Sequence, residues 1–105
     1  MKVKLYQIVF DARRHTMFID YARTVALGGV DPKEYALTWK GDIKGAKTLD
    51  DIYATFNIRE MLPKGYRGRS MSISDVVVTE DGAFFTDRVG FRKIAFNERG
   101  IASMI

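Results

Sequence analysis

The sequence predicts an α+β fold: a single antiparallel sheet of roughly five to six strands, with one main helix at about residues 48–57 packed on one face. Three observations lead there. Short runs of alternating apolar and polar residues are joined by tight turns, a pattern that pairs neighbouring strands antiparallel. One stretch alone, KTLDDIYATFNI, combines helical periodicity with a start signal. The length of 105 residues, 47% hydrophobic with seven Phe, five Tyr and one Trp, suits one domain over residues 1–105 and argues against disorder.

The elements follow in order. In KVKLYQIVF, residues 2–10, Val3, Leu5 and Val9 share one face while Tyr6, Ile8 and Phe10 take the other. Both faces are apolar, as in a central strand covered on both sides. DARRHT makes a polar turn, and TMFIDYA, residues 16–22, reads as a second strand antiparallel to the first. LGGVDP breaks the pattern; Asp31 can cap a short helical turn with Pro32 at its first position. An extended segment is expected around Leu37 to Lys40. In the helix, Thr48 caps and Asp51 three residues later completes a capping box, with Asp in place of the usual Glu. Leu49, Ile52, Tyr53 and Phe56 form its apolar stripe. REMLPKGYRGR is a loop, and SMSISDVVV, residues 70–78, reads as a strand. TEDG is a hairpin turn of the Asp-Gly kind, followed by strands in AFFTDR and FRKIAF. Residues 97–105 read as a flexible or helical tail.

Charge and composition narrow the function classes. The net charge of +4 permits nucleic-acid or acidic-protein partners and requires neither. With no cysteine, disulfides and thiolate zinc sites are excluded, which fits a cytoplasmic protein. No apolar run reaches the length of a membrane span, and the amino-terminal stretch reads as a strand and not a signal peptide.

Among candidate sites, RGRSMSISDVVV stands first. Arg67 and Arg69 on a glycine-relaxed loop can present forked donors to carboxylate or phosphate. The competing reading is a loop-to-strand joint in which Asp75 bonds backbone amides. A Ser-His-Asp arrangement would need His15, the only histidine, and no nucleophile elbow accompanies it. His15 with Asp11 or Asp20 is a weak metal-ligand set. LGGVDP lacks the phosphate-loop ending and the dinucleotide spacing. Asp50 and Asp51 are adjacent on a helix and point apart, so capping explains them better than paired acid-base work. FFTDRVGFRKIAF interleaves aromatics with Arg88, Arg92 and Lys93 and could stack bases, although its alternation equally describes a hairpin with one core face. Tyr35, Trp39 and Tyr66 near loops are either interface anchors or half-buried packing.

Four segments carry a family likeness: KLYQI near the start, TLDDIYATFN, YRGRSMSISDVV and GFRKIAF. Tyr6 to Ile8, Leu49 to Tyr53, Arg67 to Val77 and Gly90 to Phe96 match the pattern of the YodL-like domain, and the chain resembles that family over nearly its whole length. Arg69 stands where the family often has His. The resemblance implies a setting, since such domains occur in proteins of plasmids, conjugative elements and phages. It implies no reaction, and no catalytic residue, cofactor site or metal site is expected. By analogy with small anti-CRISPR proteins of similar scale, the expectation is a non-enzymatic counter-defence protein that binds a host defence nuclease, with a type II CRISPR RNA-guided nuclease as the leading case. Its basic charge argues against DNA mimicry. The expected partner-binding residues are Arg67, Arg69, Lys64 and Tyr66 with Arg13 and Arg14 of the neighbouring turn. The alternative is a nucleic-acid-binding accessory module of a conjugative element. A monomer or a homodimer paired through a strand edge is compatible with the pattern.

Overall fold

The computed structural model describes residues 1–9 and 14–105. Its strands are β1 (Lys2–Ile8), β2 (Tyr35–Asp42), β3 (Val76–Thr79), β4 (Gly82–Thr86), β5 (Phe91–Ile94) and β6 (Ala102–Ser103), and its helices are α1 (Tyr21–Ala26) and α2 (Leu49–Thr55). The six strands form one sheet in the order β5-β4-β3-β1-β2-β6. The architecture is α+β as expected, but the sheet is mixed. All pairs are antiparallel except β2 with β6, which runs parallel.

β1 occupies the middle of the sheet because both its faces are apolar. Val3 and Leu5 pack with Ile52 and Phe56 of the α2 side, together with Met71 and Val77. Tyr6 and Ile8 pack on the opposite face with Tyr35, Val76, Ala83 and Phe85. Two hydrophobic clusters therefore sandwich the sheet, as the two apolar faces of β1 led us to expect.

α2 starts as the sequence dictates. Thr48 Oγ1 accepts from Asp51 N at 3.1 Å, and Asp51 Oδ2 accepts from Thr48 N at 3.0 Å, closing the capping box. It has seven residues and α1 has six, so no single helix dominates. The Asp31 cap and the hairpin turn at Glu80–Asp81 also stand where the sequence placed them.

Residues 16–22 do not form a strand. Both edges of β1 are taken, by β2 and β3, so the alternating TMFIDYA run has no ladder to join. Asp20 instead accepts from Arg23 N and caps α1. The SMSISD run is also not strand: β3 begins only at Val76. Ser74 has φ of 82°, which breaks an extended course and turns Asp75 inward. The segment 97–105, expected to be flexible or helical, lays β6 beside Ala36 and Leu37 of β2. No helix among the described residues is long and apolar enough to cross a membrane.

Candidate functional site

The two arginines of the RGRS block diverge. Arg69 turns inward: its guanidinium donates to Asp75 Oδ1 at 3.0 Å and to the Ile8 carbonyl at 3.1 Å. It also lies 5.1 Å from the centroid of the Phe18 ring, a cation–π contact. Asp75 is fully buried, and its other oxygen accepts from Gln7 Nε2 at 3.0 Å and from Ser72 N at 2.9 Å. The Arg69 carbonyl in turn accepts from Gln7 Nε2 and from the Tyr66 hydroxyl, the latter at 2.6 Å. Gln7 thus ties the carboxy-terminal end of β1 to both ends of the 69–75 turn. A Cβ at Gly68 would collide with the Tyr66 hydroxyl and come within 2.8 Å of Gln7 Oε1, so only glycine lets the loop lie this close.

Strain gathers around the same turn. Phe18 and Ser74 hold φ of 67° and 82°, and each such non-glycine residue costs on the order of 1–3 kcal/mol. They hold each other: Phe18 N donates to Ser74 Oγ at 3.0 Å, and the Tyr35 hydroxyl donates to the Ser74 carbonyl at 2.7 Å. The Nε of Arg69 is buried without a partner among the described residues.

Burial pushes the Asp75 carboxyl up to about 6, even though Arg69, Gln7 and Ser72 all pull it down. The folded value lies above the ordinary 3.8, so the folded chain holds a proton that the unfolded chain has released between those two values. The stability this adds is fully present below the unfolded value and disappears as pH rises through the folded one. Asp42, Asp51, Asp87 and Glu98 are all held below their ordinary values and act at lower pH. Urea unfolding is therefore expected to show about 1 kcal/mol more stability near pH 5 than near pH 7, with no such gain in Asp75→Asn. A wild-type curve that falls over this window contradicts the assignment.

Arg14 is also committed internally. It donates to Glu34 Oε1 at 2.6 Å and Oε2 at 3.3 Å, and to the carbonyls of Leu27 and Gly29 at 2.7 and 2.8 Å. It clamps the turn in which Gly28 and Gly29 adopt positive φ. The Tyr66 ring packs tilted against Phe56 with centroids 5.0 Å apart, and burial raises its phenol to about 12. Arg13 and Asp11 lie outside the described residues. His15 is exposed, and no group of three or more metal-ligating side chains occurs among the described residues.

Of the six expected contact residues, Arg67 and Lys64 are on the surface. Arg67 lines a cleft of ≈ 320 Å³ with Thr38, Trp39, Gly65, Gly68, Met104 and Ile105. Met104 and Ile105 are 65% and 66% exposed. Ile58, Met61 and Leu62, on the same connection as Lys64, are exposed too. These apolar groups were missed by sequence reasoning. REMLPK carried a weak signal for two of them, whereas nothing local places residues 104 and 105 beside Trp39. A broader depression of ≈ 590 Å³ over Lys2, Lys4 and Lys40 is less promising, because Glu98 already pairs with Lys4 and accepts from the Tyr6 hydroxyl.

The arrangement displays one arginine beside an apolar cleft, over a base braced by a buried ion pair. A family model described as YodL-like domain matches residues 2–96, which include the whole Arg69–Asp75 turn. No curated protein and no solved structure matches the chain.

Proposed function

The chain belongs to the YodL-like family, and from that premise we propose that it is a non-enzymatic protein that works by gripping a partner protein. The observation that carries this reading is Arg67 standing exposed at a cleft walled by Trp39, Met104 and Ile105. Arginine and large apolar side chains together are the usual composition of an interface centre. The braced turn beneath supports it, because rigid display lowers the ordering cost of binding. Internal use of Arg69 and Arg14 narrows the contact set to Arg67, Lys64, Trp39 and the apolar groups around them.

The setting the family resemblance implies, mobile genetic elements, makes a host defence effector the partner, with an RNA-guided CRISPR nuclease as the leading case. The positive charge favours binding an acidic protein lobe or the guide-loaded complex. In a plasmid-interference assay against a panel of such nucleases, the protein is expected to relieve interference by at least one of them. Arg67→Glu combined with Lys64→Glu is expected to weaken that relief about ten-fold or more. Unchanged interference throughout removes the proposal. A shift of free DNA that weakens steeply with salt would favour a nucleic-acid module instead.

A further inference from the structure

β2 is only partly paired on its outer side. β6 covers Ala36 and Leu37, and Met104 N donates to the Leu37 carbonyl at 2.8 Å. Trp39 to Asp42 pair with β1 on one side, Thr38 standing at a bulge in the register, and these five residues have no strand on the other side among the described residues. An open edge of this kind is a template for another extended chain.

What lies beside the edge defines its occupant. The Trp39 indole folds over Gly41, reaching 2.6 Å from where a Cβ would stand, so it forms a flat apolar floor along the strand. Phe56 steadies it from below at 5.6 Å. Gly65, Arg67 and Gly68 line the same cleft, and the space beside Gly65 is open. Arg67 at the cleft and Lys64 on the same loop have no ion pair among the described residues, while Asp42 at the far end of the strand is already paired with the amino terminus, so the cleft itself is cationic. β6 itself demonstrates that an extended segment seats on this strand.

We propose that Thr38 to Asp42 of β2 accept an extended segment of a partner protein bearing acidic side chains, which continues the sheet past β6 and sets a carboxylate on Arg67. This rests on the partner-binding reading above and specifies its mode. Ladder hydrogen bonds supply the affinity, while the Trp39 floor and Arg67 select apolar and acidic side chains at alternate positions.

The probe is an array of labelled synthetic peptides of about eight residues, apolar residues alternating with glutamate, tested on the full chain by fluorescence anisotropy and amide hydrogen exchange. Expected are binders among the glutamate set that slow exchange at residues 38–42. Each is expected to lose about ten-fold or more in affinity when a central residue becomes proline or when lysine replaces glutamate, and when the protein carries Arg67→Glu. Placing the proline in the peptide leaves folding of the protein out of question. Equal binding of the proline peptides, absence of any binder, or protection confined elsewhere overturns the inference. So does peptide-free self-association that protects residues 38–42, which would assign the edge to a second copy. If the protein relieves nuclease interference while exchange at 38–42 is unchanged in the complex, this inference fails and the partner-binding reading stands. If peptides dock as described and no nuclease is affected, the CRISPR assignment fails and the edge site stands.

Discussion

Asp75→Ala is expected to destabilise the protein by about 3–5 kcal/mol, the range for removing one partner of a buried ion pair. Asp75 is fully buried and accepts from Arg69, Gln7 and Ser72, so truncation strands three donors at once. The Arg69 side chain retains only 28% exposure, too little for water to replace the lost carboxylate fully. Domains of this size have total stabilities of about 5–15 kcal/mol, so the variant should sit near the edge of folding. Urea unfolding near neutral pH measures the change. Asp75→Asn should lose less, because the amide oxygen still accepts one bond. A loss under about 1 kcal/mol for Asp75→Ala would mean that the turn is held by something other than this carboxylate.

The second large effect is expected from Phe56→Ala, at about 3–5 kcal/mol. Phe56 is fully buried where α2 ends, and its ring contacts Trp39 at 5.6 Å and Tyr66 at 5.0 Å. Its carbonyl also accepts from Met71 N. The ring thus joins three parts of the molecule: the last turn of α2, the partly paired strand β2, and the loop that presents Arg67. Removing it should loosen both walls of the cleft as well as lowering stability. Thermal or urea unfolding reads the first consequence. Faster amide exchange at residues 38–42 and 65–68 reads the second. Destabilisation with unchanged exchange there would show the cleft to be independent of the core beneath it.

The pH response and the Asp75 substitutions probe one physical point. Desolvation of Asp75 outweighs its attraction to Arg69, since its carboxyl sits above and not below the ordinary range. The pair therefore does little for net stability, but breaking it is costly. Its service is geometric: it turns Arg69 inward and leaves Arg67 outward across one glycine.

Much of the fold was legible because local chemistry and tertiary need coincide. The Thr48–Asp51 box, the Asp31 cap and the turn before Gly82 each follow from residues within a few positions of one another. The two apolar faces of β1 placed it at the centre of the sheet. TMFIDYA was misread because alternation reports only that a strand would be amphipathic; it does not report whether a neighbour is free to pair. In SMSISD the alternation was real, yet one buried carboxylate and one left-handed Ser74 overruled it. The candidate site divided along the same line. Arg67 and Arg69 are equivalent by composition and spacing, and only the depth of Asp75 beneath one of them separates an internal brace from an exposed contact.

By itself, then, the sequence determined the α+β class, the capped helix, the central strand and the family, all of which rest on local periodicity, capping groups and a distinctive residue pattern. The tertiary structure decided which basic groups remain available, that residues 102 and 103 add a parallel strand, and that part of β2 stays unpaired. The reason is that pairing of strands and burial of charge depend on neighbours distant along the chain, about which a short window of residues carries no information.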